Sequence, residues 1–240
     1  MALFKSQVLT QASGSVGGLT YSHNAGGLYM RARSIPVQPN SPYQTQVKNA
    51  LTQLVVAWLE TLTAVQRNAW NLYAANVLVT NPLGDPRANS GQNWYVAANQ
   101  PRLQAIAKLA SALTRVDAAP IIFDRGLLTT PAAVTLDVSA STLSFTFTNT
   151  NAWATAVGGA LLVYQGRPVN GTRTFFKGPW RLIGQILGAV VPPTSPGLIS
   201  TVPTNGYAYA IGQACYIAFA ATTADGRLTT RQIVPASIVA

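Results

Sequence analysis

The side chains with which this chain could do acid-base, nucleophilic or metal chemistry are few. In 240 residues there is one histidine, His23, and one cysteine, Cys215. The acids are Glu60, Asp85, Asp117, Asp124, Asp137 and Asp225, each isolated in sequence, so no paired-carboxylate motif can be read from them. A Ser-His-Asp relay would have to rest entirely on His23, whose setting, Tyr-Ser-His-Asn-Ala-Gly-Gly, is that of a solvated hairpin turn. Cys215 lies in an alternating apolar run and reads as a small buried hydrophobe, since a thiol without a charged neighbour behaves as one. One cysteine makes no disulfide within the chain, and the Cys/His spacing of a zinc site is missing. Gly14-Ser-Val-Gly-Gly is followed by no Gly-Lys-Ser/Thr and so is no phosphate loop. Asn170-Gly-Thr fits the glycosylation tripeptide, but Met1-Ala-Leu-Phe-Lys lacks the apolar core of a secretory leader, so the match is read as chance. The expectation is a protein that is not an enzyme and takes no cofactor and no metal.

Chemistry of contact is better supplied. Charged residues make up 9% of the chain, against roughly 25% in an average globular protein, and 48% of residues are apolar. So little charge makes for a surface that is sticky when bare, which predicts burial against other subunits in a homo-oligomer or larger assembly. Net charge is +10 and no basic block stands out. Diffuse positive charge suits an anionic partner, either nucleic acid bound without sequence specificity or an acidic protein surface. Aromatic and arginine side chains are the usual anchors of interfaces. In the N-terminal segment these are Tyr21, Tyr29, Arg31 and Arg33, the expected partner contacts.

Those residues sit in a segment, residues 1–42, that reads as an extended arm. Gly14, Gly17, Gly18, Gly26 and Gly27 interrupt any helix, and Pro36, Pro39 and Pro42 force extended backbone before them. Leu19-Thr-Tyr-Ser and Leu28-Tyr-Met-Arg-Ala-Arg flank a turn and suggest a short hairpin. Residues 43–117 read as a small helical domain. Val47, Leu51, Leu54, Val55, Trp58, Leu59 and Leu62 recur at three- and four-residue steps. Thr63-Ala-Val-Gln66 has capping-box spacing and opens a second helix. Trp58, Trp70 and Tyr73 are the expected core between the two helices. After the turn at Asn81-Pro-Leu-Gly-Asp-Pro, Ser90 caps a third helix through Trp94 to about Asn99, where Pro101 ends or kinks it, and Leu103 to Leu113 can continue as helix beyond it.

Residues 118–240 read as all-β. Strands are expected at 134–138, 143–147, 160–164, 181–187, 214–220 and 228–234, short and β-branched or aromatic, with Asp225-Gly226 as a tight turn between the last two. The uncharged run from Leu182 to Ala224 is broken by prolines and glycines, so no membrane span is expected. The fold class is thus α+β: an extended N-terminal arm, a small helical region and a C-terminal immunoglobulin- or fibronectin-like β-sandwich.

The order Gly14, Gly17-Gly18, Tyr21, Gly26-Gly27, Met30-Arg-Ala-Arg33, Pro36, Pro39, then Gln46, Trp58, Leu62-Thr63, Gln66, Trp70 and Tyr73 resembles virion structural proteins of tailed bacteriophages, in which a glycine-punctuated arm leads into a two-tryptophan helical pair. Ser90-Gly91 with Asn99 and Arg102, and later Arg167-Pro168 and Phe176-Lys-Gly-Pro179, extend the likeness, which covers the first 105 residues well and the rest loosely. Its motifs are structural, so it implies no catalytic residue. It implies location in the virion and leaves head, neck and tail equally open; an arm without its own core, a charge-poor surface and a C-terminal sandwich then make the leading expectation a capsid decoration or cement protein, a minor capsid protein whose arm binds the major capsid protein. A neck or tail component in contact with neighbouring virion proteins is the alternative. A carbohydrate- or receptor-binding module, stacking its ligand on Trp153, Tyr164, Trp180 and Tyr207, is a third reading from a different class.

Overall fold

A computed structural model describes residues 2–3, 12–24, 27–34, 37–38, 40–80, 86–200 and 205–240. It divides into two compact units, Met1–Ser41 and Pro42–Ala240. Gly26, Pro36, Pro39 and most of the turn at Asn81-Pro-Leu-Gly-Asp-Pro lie outside the described residues.

In the first unit the strands β1 (Ala2–Leu3), β2 (Gly14–Val16), β3 (Leu19–Asn24) and β4 (Gly27–Ala32) form a sheet in the order β1-β4-β3-β2. The expected hairpin is β3 with β4, paired from Leu19↔Ala32 to Asn24↔Gly27. The expected extended arm is corrected to a sheet, and two glycines explain the difference. Gly17 and Gly18 both have positive φ, 56° and 81°, the conformation a two-residue primed turn requires. They return the chain from Val16 to Leu19 and add β2 to the hairpin.

In the second unit α1 (Pro42–Val56) opens with proline, whose fixed φ and missing N–H suit the first helical position. It runs into a wider, π-helical turn at Ala57–Thr61, where the Leu62 N–H reaches the Ala57 carbonyl at 2.9 Å. Arg67 donates to the carbonyls of Trp58 and Leu59 that this turn leaves over, at 3.3 and 3.2 Å. The periodic face is buried at Leu54 and Leu62, while Leu51 and Leu59 are exposed. The capping box forms on α2 (Ala64–Asn76): the Gln66 N–H donates to Thr63 Oγ1, and the Thr63 N–H to Gln66 Oε1. Trp70, Tyr73, Ala74 and Val77 then line one buried stripe. Ser90 caps α3 (Gly91–Leu109), so of the two readings at Pro101 the helix takes the continuing one and runs past the proline to Leu109. Buried Trp94, Tyr95, Ala98, Asn99, Arg102 and Ala105 hold the helix on both sides of the proline, so packing outweighs the one lost backbone hydrogen bond.

Together with these three helices, the second unit contains a large, nearly closed β-sheet. After a short ribbon, β5 (Val79–Thr80) and β6 (Pro86–Arg87), its strands are β7 (Ala132–Asp137), β8 (Thr142–Thr146), β9 (Ala160–Gly166), β10 (Val169–Asn170), β11 (Trp180–Leu187), β12 (Gly197–Ile199), β13 (Gln213–Thr222) and β14 (Gln232–Val239). The path is β11-β9-β13-β14-β7-β8-β12, with β10 on β13. Strand β14 joins two half-sheets: Gln232–Ala236 pair antiparallel with β13, and Ser237–Val239 pair parallel with β7. The far edges of the path also meet, for a Cβ on Gly184 of β11 would lie 2.7 Å from the Ile199 side chain of β12.

Alternation explains the core. Leu161 and Val163 of β9 and Ile217 and Phe219 of β13 point into one cluster with Leu136, Leu143 and Phe145 of the other half-sheet. Their neighbours Ala160, Leu162, Tyr164, Ala218 and Ala220 point the other way, onto Ala105 of α3 and Leu113. Strand β9 is therefore buried on both faces and reads as a continuous apolar run. Because α3 packs on the back of the sheet, the compact unit spans the boundary expected at 117/118. The last strand lies further along than expected: Asp225-Gly226 turns the chain, but Leu228 makes only a single bridge to Thr222 before β14 begins at Gln232.

Candidate functional site

In the first unit the register sorts the expected contact residues. Antiparallel partners share a face, so Gly14, Val16, Leu19, Tyr21, His23, Leu28, Met30 and Ala32 lie on one side, apolar apart from the exposed His23. Ser15, Thr20, Ser22, Tyr29 and Arg31 lie on the other, where Ser15 and Thr20 hydroxyls meet at 2.8 Å. Arg33 follows Arg31 by two residues, with its N–H on the Gly18 carbonyl at 2.7 Å. The structure therefore brings Tyr29, Arg31 and Arg33 together and sets Tyr21 on the opposite, apolar face. Arg31 and Arg33 are exposed, and no carboxylate pairs with either among the described residues. No residue of this unit whose burial is described is fully buried.

Trp58, Trp70 and Tyr73 do meet, in an aromatic cluster that also holds Trp94 and Tyr95 from α3. Trp70 stands edge-on to Tyr73 and Tyr95 at 5.8 and 5.6 Å, and Trp58 lies 5.7 Å from Tyr95. The polar ends of these rings fasten the segment that leads to the sheet: Trp70 Nε1 donates to the Asp117 carbonyl at 3.0 Å and Tyr73 Oη to the Asp124 carbonyl at 2.6 Å. Burial and the neighbouring Asp124 push the Tyr73 hydroxyl up to about 12. Arg102, fully buried, spends its guanidinium on the Thr114, Thr223 and Gly158 carbonyls and the Thr222 hydroxyl. Burial draws its pKa down to about 10. Lys108 Nζ joins α3 to the sheet through the Leu182 and Asn205 carbonyls at 2.6 and 2.8 Å, and burial followed by the nearby Arg181 lowers it to about 8. These cations are structural ties.

The residues offered for ligand stacking do not form a platform. Trp153 and Tyr164 are buried, and Tyr207 lies under the Arg181 guanidinium at 4.0 Å. Trp180 packs edge-on against Phe176 at 5.0 Å. Cys215 is buried, which raises its thiol to about 11, and His23 is exposed on β3. Asp124 and Asp225 both bind Arg227, at 2.7 and 2.9 Å, tying the approach to the sheet to the Asp225-Gly226 turn. Among the described residues no group of three His, Cys, Asp or Glu side chains could hold a metal ion, and no helix is long and apolar enough to cross a membrane.

The second unit also carries a groove of about 690 Å³ along α3, walled by Leu51 and Val55 of α1 and closed by Tyr164, Leu228 and Arg231. Its polar lining is mostly carboxamide: Asn89, Gln92, Asn93, Gln100 and Gln104. Sequence reasoning passed over these residues, although their density between 89 and 104 is a readable signal; Arg231, from a distant strand approach, has none. Comparison with protein-family models, curated proteins and solved structures gives no match for this chain.

Proposed function

We propose that this protein is a structural subunit of a tailed-phage virion, a capsid decoration or cement protein that grips the major capsid protein through its first unit and works as a homo-oligomer. The observation that carries the reading is the two-faced sheet of residues 1–41. A small sheet with one largely apolar face and no fully buried side chain among those described gains little from folding alone and gains most when a partner covers it. Its other face presents Tyr29, Arg31 and Arg33, which suit an acidic partner surface. The charge-poor composition of the whole chain supports the same role, since lattice neighbours cover such a surface. In this reading the second unit is the body, with its two half-sheets serving as the layers of an immunoglobulin-like sandwich. The packing of Leu136, Leu143 and Phe145 against Val163, Ile217 and Phe219 supports that description.

The test is binding of the full chain to purified shells. Replacing Arg31 and Arg33 with glutamate lowers affinity by about tenfold or more and flattens its dependence on salt, because the attraction between the partners becomes repulsion. Unchanged affinity and unchanged salt dependence would reject the arm as the grip. Copy number, measured against the major shell protein by mass spectrometry, separates a decoration role, with copies comparable to the shell subunits, from a single ring at the neck or tail.

A further inference from the structure

The groove along α3 carries an inference independent of the first unit. Its carboxamides Gln92, Asn93, Gln100 and Gln104 follow the helix axis for twelve residues, about 18 Å at 1.5 Å per residue. An extended polypeptide rises about 3.3 Å per residue, so five or six residues would match that stripe. A carboxamide offers both a donor and an acceptor, which is what a peptide backbone needs along its length.

The groove's charge lacks its complement. Gln100 is held in place by its Nε2, which donates to the Val47 carbonyl at 3.1 Å. Arg231 is the only charged side chain in the lining. Its guanidinium rests over the Tyr164 ring at 4.5 Å, and no carboxylate pairs with it among the described residues. A planar cation held in place by a ring and left without a counter-ion fits a carboxylate.

The same features argue against other occupants. A sugar chain is usually held by an exposed aromatic face, and the one ring here, Tyr164, is buried beneath Arg231. A nucleic acid backbone needs several cations, and the groove has one. We propose that this groove binds an extended segment of a partner protein, with the backbone paired to the α3 carboxamides and an acidic side chain on Arg231. Leu51 and Val55 would cover the peptide's apolar side.

The experiment uses the isotope-labelled full chain and a blocked six-residue alanine-glycine peptide carrying one glutamate. Its addition is expected to move the side-chain amide signals of Gln92, Asn93, Gln100 and Gln104 in a saturable way. The matching glutamine peptide binds about threefold to fivefold more weakly, the worth of one partly exposed ion pair. Arg231→Gln abolishes the difference between the peptides and Arg231→Lys keeps part of it. Stationary amide signals at millimolar peptide, or equal binding of both peptides to the native chain, would overturn the proposal without need of any variant. So would a maltohexaose titration that moves those signals when the peptide does not.

Discussion

The first 41 residues and the remainder of the chain solve the problem of burial in opposite ways. Residues 42–240 bury Trp70, Tyr95, Phe145, Phe219 and Arg102 within themselves, and α3 serves the aromatic cluster with one stretch and the sheet with the next. The four strands of residues 1–41 have regular pairing and no fully buried side chain whose burial is described. Strand pairing is present in both, so pairing alone does not distinguish them. The difference lies in the core, which the second unit has and which the described side chains of the first do not make.

The largest expected break in that contrast is at Arg102. Arg102→Leu removes the donor to the Thr114, Thr223 and Gly158 carbonyls, and stranding a buried acceptor costs about 1–3 kcal/mol for each one left unsatisfied. Urea unfolding followed by tryptophan fluorescence reports this directly, since all five tryptophans lie beyond residue 41. A loss below about 1 kcal/mol would show that the helices and sheet do not depend on this tie. Thr63→Ala has a smaller effect, about 1 kcal/mol, because it removes one half of the capping box on α2. Gln66→Ala in combination tests reciprocity: the double variant should lose less than the two single losses added together.

The smallest effect is with pH. Burial works against the charged form of Asp117, but hydrogen bonds from Arg115 and Tyr95 outweigh it and hold the carboxyl below the usual carboxylate range. A carboxyl whose folded pKa lies below its unfolded value stabilises the fold above that unfolded value, and the contribution is lost as pH falls through the folded one. The urea midpoint should therefore drop below about pH 4, and Asp117→Asn should make that drop shallower. An unchanged slope would remove Asp117 from the set of groups that set the acid limit.

Sequence reveals most where the determinants are local. The Thr63-Gln66 cap, the Trp70-Tyr73 stripe and the Asp225-Gly226 turn are each written within a few residues, and each is found in the structure. The sheet in the first unit was half legible: the β3-β4 hairpin follows from its apolar strands, but β2 depends on reading Gly17-Gly18 as a primed turn and not as a general helix breaker. What escaped depends on contacts between distant segments. At Pro101 the sequence leaves a stop and a continued helix both open, and only the burial of Asn99 and Arg102 on either side of it decides between them. Leu51 and Leu59 fit the apolar period of α1 and are exposed, because the period names a face without saying how wide its cover will be. The groove escaped because a run of carboxamides was readable between 89 and 104 but names no chemistry until the fold supplies its walls, and Arg231 reaches them only through that fold.

Strand β14 also sets the order in which this chain can finish folding. Among the described residues it is the strand that links β13 to β7, and its partner Thr135 precedes Ser237 by all the other strands of the large sheet. Pairings this distant in sequence form slowly, since the intervening chain must be brought together before they return any stability. Until β14 docks, β13 and β7 each lack the neighbour that joins them, so the pairing of Ser237–Val239 with β7 is the step that turns two half-sheets into one continuous path.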